Sequence, residues 1–305
     1  MNDSPGGVGT VVIIGAGRMG LALGSALRQQ EAVERLLYLG RSLEPPPHPL
    51  FDPYPLPGDA GSAPAGAEYR ALPSQPPAGT HAILLAVPDG ALPEVVHDLA
   101  MAGEAPPGCV ALHMSGALST DVLAPLHAAG YAIGSLHPLM AVADPWLAGE
   151  RLAGAAFALG GEPAAVTAGR RIVSALGGLP LVVPPSMRPL YHAAAVMASN
   201  YLVALAAAAA RLLTEAGVPE EDALPALLPL MRGTLDNMQQ LGMSAALTGP
   251  IPRGDSDTVR LHLARLSPAD RVLYCGLGLE LLRLARVAGL DEERAGDIES
   301  LLTSD

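Results

Sequence analysis

The sequence predicts an α/β domain built on a doubly wound parallel sheet, followed by an all-α domain. Three observations carry this expectation. Short apolar runs alternate with helical patterns as far as about Pro185. The first of those runs ends in a glycine-rich turn that opens a helix. After Pro185 the strand patterns stop and only helical ones follow. Strands alternating with helices imply crossover connections and a parallel sheet with helices on both faces. The expected boundaries are residues 1–185 for the sheet domain and 186–305 for the helical one.

In chain order, the apolar run from Val11 to Ile14 reads as a strand buried on both faces. The turn and helix of "GAGRMGLALGSALRQQ" follow it, and "RLLYLGRS" is a second short strand. About residues 43–79 are rich in Pro and Gly, too broken for a regular helix, and read as a surface insertion with one short strand near Tyr69. "HAILLAVPD" is a clear strand with a helix from about Ala91, and "GCVALHMSG" is another with a helix from about Ser119. "YAIGSLHPLM", "AAFALGGE" and "LPLVVPP" complete the set, the last two separated by a helix over Ala164 to Ala175. Beyond them one long helix is expected from Arg188 to Ala216, about 40 Å at 1.5 Å per residue. Four more are expected at about Glu220–Gln240, Ser256–Leu266, Pro268–Ala288 and Glu292–Leu302, the second of them capped by Asp255 or Ser256.

Composition narrows the function classes. The chain has 305 residues, half of them hydrophobic but only 3% aromatic, so its core must be Ala, Leu and Val. A net charge of −12 without any Lys/Arg cluster argues against a nucleic-acid partner. Cys109 and Cys275 are far apart in apolar stretches, so no disulfide framework is expected and a reducing cytoplasm fits. The opening MNDSPGGVG has no basic stretch leading into an apolar one, so no secretory signal is expected. Ala193 to Ala210 carries no charge and reaches the lower limit for a membrane span, but it is mostly alanine and lacks a flanking basic cluster. No membrane is expected. Nor is a metal, because the eight histidines form no HExxH and no zinc-spaced Cys/His pair.

Gly15, Gly17 and Gly20, with Arg18 and Met19 between them, form GxGxxG between strand and helix, the context a dinucleotide site requires. The first glycine allows the tight turn, the second the approach of a pyrophosphate, and the third close packing of helix on strand. The free N–H groups of the helix start then face the anion. This makes the sheet domain Rossmann-type. An NAD site wants a carboxylate at the end of the second strand; here Gly40, Arg41 and Ser42 stand there. A guanidinium with a hydroxyl suits a 2′-phosphate, so NADP is expected rather than NAD.

Ligands of an open parallel sheet gather at the carboxyl ends of its strands. There Val87 and Pro88 would face the nicotinamide side, Asp89 would cap the next helix, Ser115 is a further cofactor-contact candidate, and His137 is a titratable donor near a substrate. The stretch "YHAAAVMASNYL" sets His192, Val196 and Asn200 on one helical face at i, i+4 and i+8. Buried, His192 and Asn200 would need polar partners, which a cleft supplies.

The segments "VVIIGAGRMG", "AVPD", "HMSGAL", "GSLHPLMAVADP", "YHAAAVMASNYLVAL" and "ALTGPIPRGD" together resemble bacterial proteins that join a Rossmann-like NADP-binding half to a helical domain of unknown function. The chain is more distantly similar to pyrroline-5-carboxylate reductase, prephenate dehydrogenase and the β-hydroxyacid dehydrogenases. The resemblance implies a C-terminal domain of the 6-phosphogluconate dehydrogenase type and a homodimer formed through it. It also implies an oxidoreductase passing hydride between NADP(H) and a C=O or C=N group of a small, anionic metabolite. One departure matters. The β-hydroxyacid dehydrogenases carry a Lys one turn before the Asn that Asn200 matches, and here that position is Val196. The chemistry would then use His192 or His137 for the proton and Asn200 to orient the substrate. The alternative is a non-catalytic NADP(H)-binding module for redox sensing or assembly. Arg253, in the turn before a helix, is either a neighbour of an anionic substrate group or an ordinary loop arginine.

Overall fold

A computed structural model of the chain describes residues 7–51 and 66–304. The chain forms two compact units, one ending at Ser199 and the other starting at Asn200. Residues 52–65 of the expected insertion lie outside the described residues.

The first unit holds an eight-stranded sheet. Its strands are β1 (Thr10–Ile14), β2 (Arg35–Gly40), β3 (Glu68–Ala71), β4 (Thr80–Leu85), β5 (Val110–His113), β6 (Ala132–Pro138), β7 (Ala156–Gly161) and β8 (Leu179–Val182). The helices between them are α1 (Arg18–Gln29), α2 (Leu92–Met101), α3 (Ala124–Ala128), α4 (Pro145–Leu152) and α5 (Pro163–Ala175). The order is β3-β2-β1-β4-β5-β6-β7-β8, so the winding reverses between β1 and β4, where open α/β sheets bind ligands. The strand expected near Tyr69 is β3, paired parallel with β2. Strands β1 to β6 run parallel, but β7 runs antiparallel to β6, with β8 parallel to β7. A reversal there confines the parallel strand ends to β1–β6. α4, which the sequence pattern did not reveal, lies in the β6–β7 connection and packs against α1: a Cβ on Gly149 would come 2.9 Å from Ser25 Cβ.

Two core layers follow from strand alternation. Val11, Ile13, Tyr38, Leu84 and Leu112 pack with α1 and α5 on one face. Val12, Ile14, Leu37, Leu39, Ile83 and Leu85 pack with α2 on the other. Every one of these is essentially without solvent contact, as an apolar run buried on both faces predicts.

The expected single long helix is two. α6 (Arg188–Ala198) ends this unit and α7 (Asn200–Glu215) begins the other. The break is at Ser199, whose backbone sits at φ −118°, ψ −67° and whose hydroxyl donates to the Ala195 carbonyl at 2.9 Å. A serine bonding back into the preceding turn bends a helix. The i, i+4, i+8 relation between His192 and Asn200 therefore does not run along one unbroken helix. Residues 185–215 are, among the described residues, the one helical stretch long and apolar enough to cross a membrane by length and composition.

The second unit continues with α8 (Glu220–Ala245), α9 (Pro250–Arg253), α10 (Ser256–Leu263), α11 (Pro268–Val287) and α12 (Glu292–Thr303). Asp255 caps α10, accepting from Thr258 N at 3.1 Å. A small core of Ile251, Val259, Leu263, Leu282, Ile298 and Leu302 holds α9–α12 together. Much apolar surface is left open: Val203 is 71% exposed, Leu230 68% and Val272 75%.

Candidate functional site

The glycine turn stands at the switch point between β1 and β4. Gly15 adopts φ +107°, the region that favours glycine, and a Cβ there would lie 2.6 Å from the Ala86 carbonyl oxygen. Gly20 is buried, and a Cβ on it would overlap the Gly15 carbonyl oxygen. Only a glycine lets α1 sit this close to the strand end. Gly17 differs from both. It is exposed, and a Cβ on it would meet nothing within 4 Å. It is also the N-cap of α1, with no side chain capping the first turn. The first N–H groups of a helix have no intrahelical partner and carry the positive end of its dipole. An open, uncapped helix start behind a glycine turn fits a pyrophosphate. Arg18 is exposed there, and Met19 is half-buried against the core.

At the end of β2, Arg41 and Ser42 are both exposed, and Tyr69 donates to the Ser42 carbonyl at 3.0 Å. Among the described residues Arg41 forms no ion pair. Its guanidinium and the adjacent hydroxyl suit a ribose 2′-phosphate in place of a carboxylate–ribose contact. Val87, half-buried, and Pro88, exposed, follow β4 directly beside the glycine turn.

A second constellation lies at the ends of β5 and β6. Asp89 does not cap α2; instead it accepts from the Ser115 hydroxyl at 2.8 Å. That hydroxyl also accepts from the Ala117 and Leu118 N–H groups at 3.2 and 3.1 Å, so it is committed to holding its own turn. His137 Nδ1 is 2.8 Å from the Tyr191 hydroxyl. The His137 ring also meets the His192 ring edge-to-face, with centroids 5.8 Å apart. Gly116 is the reason these rings can converge. A Cβ there would be 2.9 Å from His137 Nε2 and would overlap His192 Nδ1. Beneath them Arg188, wholly buried, donates through Nη1 to Ser135 Oγ at 2.8 Å and through Nη2 to the Ser115 carbonyl. α6 is thus tied at its first residue to the turn after β5 and to the middle of β6. This explains why the compact unit extends to Ser199 and not to Pro185.

Electrostatics in this cluster follow from burial around one guanidinium. Burial first, then the Arg188 charge and then His137, press His113 down to about 3. Burial first, then Arg188 and His192, press His137 down to about 4 against an opposing contribution from Asp89. Both imidazoles are neutral at pH 7, which differs from the near-neutral titration expected of a free histidine. Burial raises Tyr191, and Arg188 works against that rise. His113 Nδ1 and Nε2, His192 Nδ1 and Arg188 Nε are buried without a hydrogen-bond partner. Among the described residues no three His, Cys, Asp or Glu side chains are grouped as a metal requires.

The structure therefore gathers Gly15, Gly17, Arg18, Met19, Gly20, Val87 and Pro88 at one switch point, with Arg41 and Ser42 on the neighbouring strand end. It joins His137 and His192. Asn200 opens α7 in the second unit. Sequence reasoning missed Arg188, His113 and Tyr191. Nothing local marks Arg188 as buried, since arginines are ordinarily exposed. A histidine within an apolar strand was a readable signal for His113, and the adjacent Tyr-His pair was one for Tyr191.

Comparisons with known proteins agree with this architecture. Residues 68–138 match a Rossmann-like domain, and residues 155–281 match a domain of unknown function, DUF2520. No curated protein matches the sequence. Among solved structures, a protein of Thermotoga maritima is similar with a TM-score of 0.67 and 24% identity, over 91% of this chain and 98% of that one. A Bacteroides fragilis protein provisionally described as an NADP oxidoreductase gives 0.58 and 20%, over 92% and 97%. The pyrroline carboxylate reductase of Plasmodium falciparum, solved with NADP bound, gives 0.56 and 10%, over 96% and 98%. The shared feature is the fold.

Proposed function

We propose that the chain is a cytoplasmic NADP-dependent oxidoreductase that passes hydride between NADP(H) and a C=O or C=N group of a small, anionic metabolite. One observation carries this reading: an uncapped α1 behind a glycine turn, open at Gly17, beside a second strand that ends in Arg41 where an NAD site would have a carboxylate. Gly15, Gly17, Arg18, Met19 and Gly20 form the pyrophosphate cradle. Arg41 and Ser42 hold the 2′-phosphate. Val87 and Pro88 line the nicotinamide side, and Ser115 keeps the neighbouring turn in place. Bound there, the nicotinamide supplies or accepts the hydride. His192 and His137 serve the proton transfer. The Bacteroides fragilis and Plasmodium falciparum proteins, which share the fold, support NADP as the cofactor.

The open apolar surface of the second unit, including Leu205, Leu273, Leu277 and Leu281, supports a homodimer through the helical domain. Exposed apolar area on this scale marks an association surface. Sedimentation analysis giving twice the chain mass is the expected result.

The valine at position 196, where a related mechanism would need a lysine, favours one second reading: a module that binds NADP(H) without turning it over. A fluorescence titration with NADPH and NADH tests the main reading. Tight NADPH and weak NADH binding is expected, and no binding of either refutes it. His192→Ala is expected to abolish turnover while leaving NADPH affinity nearly unchanged. Surviving turnover would remove His192 from the site.

A further inference from the structure

The cluster at the ends of β5 and β6 holds a tyrosine that the proposed chemistry has not used. Tyr191 is half-buried, so it is reachable from solvent, and its hydroxyl lies 2.8 Å from His137 Nδ1. One turn earlier on α6, Arg188 is wholly buried. Its two hydrogen bonds go to a hydroxyl and a carbonyl, both uncharged, and among the described residues it forms no ion pair with a carboxylate. A buried cation with no carboxylate in ion-pair contact is expensive and weighs heavily on the potential around it. The other ionisable groups here are His113 on β5, His137 on β6, His192 on α6 and Asp89 after β4. Of these, His113 and His137 are neutral at pH 7, and the Asp89 carboxylate, which accepts from Ser115, acts through space on both Arg188 and His137.

We propose that Tyr191 is the proton donor of this site, aimed by His137 and electrostatically supported by Arg188, and that the bond it serves is a carbonyl C=O and not an imine C=N. This rests on the dinucleotide reading above. The proton bookkeeping selects one His137 tautomer. With its hydrogen on Nδ1, the neutral imidazole donates to the phenol oxygen and leaves the phenol O–H free for substrate. In the reducing direction the carbonyl carbon takes a hydride from the reduced dinucleotide, which becomes oxidised. The π pair of C=O moves to oxygen, and that oxygen takes the Tyr191 proton. The phenolate left behind accepts the His137 N–H bond, lies in the field of Arg188, and regains a proton from solvent.

The sign of the charge decides between substrates. A reduced carbonyl develops negative charge on oxygen, which a nearby guanidinium and hydrogen-bond donors stabilise. An imine reacts as its iminium, a cation, which would meet Arg188 as a like charge; the Asp89 carboxylate, felt at His137 more weakly than Arg188, offsets it only in part. Tyr191 is the catalytic residue in this scheme. Arg188 and His137 are positioning residues.

The deciding experiment needs no substrate. Tyr191 is replaced by 3-chlorotyrosine, whose phenol ionises at lower pH than tyrosine, and the phenolate absorbance is titrated in the intact chain. The midpoint is expected to rise in Arg188→Gln and to return towards the parent value in Arg188→Lys. It is also expected to rise in His137→Leu, which has no N–H donor to offer the phenol oxygen and serves if Arg188→Gln does not fold. An unmoved midpoint in these variants overturns the proposal. A second arm follows NADPH oxidation with pyruvate, cyclohexanone and 2-methyl-1-pyrroline. Consumption of a carbonyl probe, lost by about 100-fold or more in Tyr191→Phe at unchanged NADPH affinity, supports it. Consumption of the imine alone overturns it. If no probe is consumed, the titration decides. Absence of NADPH binding would sink the cofactor reading and leave the titration standing as a test of the Tyr191 environment.

Discussion

Replacing Gly17 by alanine separates the role of the glycine turn in folding from its role in binding. A Cβ at Gly17 meets nothing within 4 Å, and the residue's φ of −84° is ordinary for any amino acid. Alanine is a poorer N-cap than glycine by about 0.5–1 kcal/mol. Restricting the unfolded chain returns about 0.4–1 kcal/mol. The two nearly cancel, so Tm should move by no more than about 2 °C. Binding responds differently. The methyl group projects into the open space where a pyrophosphate must approach the α1 N–H groups. Loss of one charge-assisted hydrogen bond costs about 1.5–3 kcal/mol, which weakens NADPH about 10- to 100-fold. Gly20→Ala is the control within the same motif. Its Cβ would overlap the Gly15 carbonyl oxygen and lie 3.3 Å from Ala86 Cβ, backbone and short side chain that cannot swing away. Overpacking of that kind costs up to about 3 kcal/mol, so Tm should fall by roughly 6–12 °C. The assays are calorimetry and NADPH fluorescence on both variants. A Gly17→Ala protein that binds NADPH like the parent would refute the placement of the pyrophosphate on this turn.

Arg41→Ala should weaken NADPH about 10- to 100-fold while changing NADH by less than about twofold, because only the 2′-phosphate loses a charged donor; equal losses for both cofactors would refute the assignment. Gly116→Ala should lower both turnover and Tm, since its Cβ would displace His192 and press within 2.9 Å of His137 Nε2, an overpacking cost of about 1–3 kcal/mol. The buried His113 is held at about 3 from an ordinary 6.5. The unfolded chain therefore binds a proton below 6.5 that the folded one refuses, and stability falls with pH from about 6.5 towards 3, by about 1.4 kcal/mol per pH unit from this group. His113→Leu removes two unpartnered buried nitrogens as well as the titration, so it should fold as well at pH 7 and tolerate acid better in a pH series of denaturant melts.

Much of the first unit was legible from local pattern. Apolar runs buried on both faces identified β1, β4 and β5, and GxGxxG between strand and helix located the turn that the structure sets at the switch point. The absence of a carboxylate after β2 was equally readable, because strand ends and helix starts are local features. Legibility failed where spacing was extrapolated past a break. His192 and Asn200 are eight residues apart in sequence, yet the helix between them is interrupted at Ser199 by a back-bonded hydroxyl. It failed again at Asp89, whose position suggested a helix cap but whose carboxylate turned to Ser115, twenty-six residues away. The reversed direction of β7 left no mark in its own apolar run, since parallel and antiparallel buried strands share one pattern.

The sequence by itself determined the fold class, the glycine turn, the cation at the end of β2 and the histidines as candidates, all of which are properties of short windows. Only the tertiary structure decided what those histidines are. Arg188 looks like any surface arginine in the chain, but at the start of α6 it is drawn against the turn after β5 and the middle of β6 and buried there. Its charge, together with the loss of water, turns His137, and beside it His113, which the sequence did not mark, from groups that titrate near neutrality into neutral ones. The physical reason is that desolvation and Coulomb interaction depend on distance through space, which residue spacing along the chain does not record.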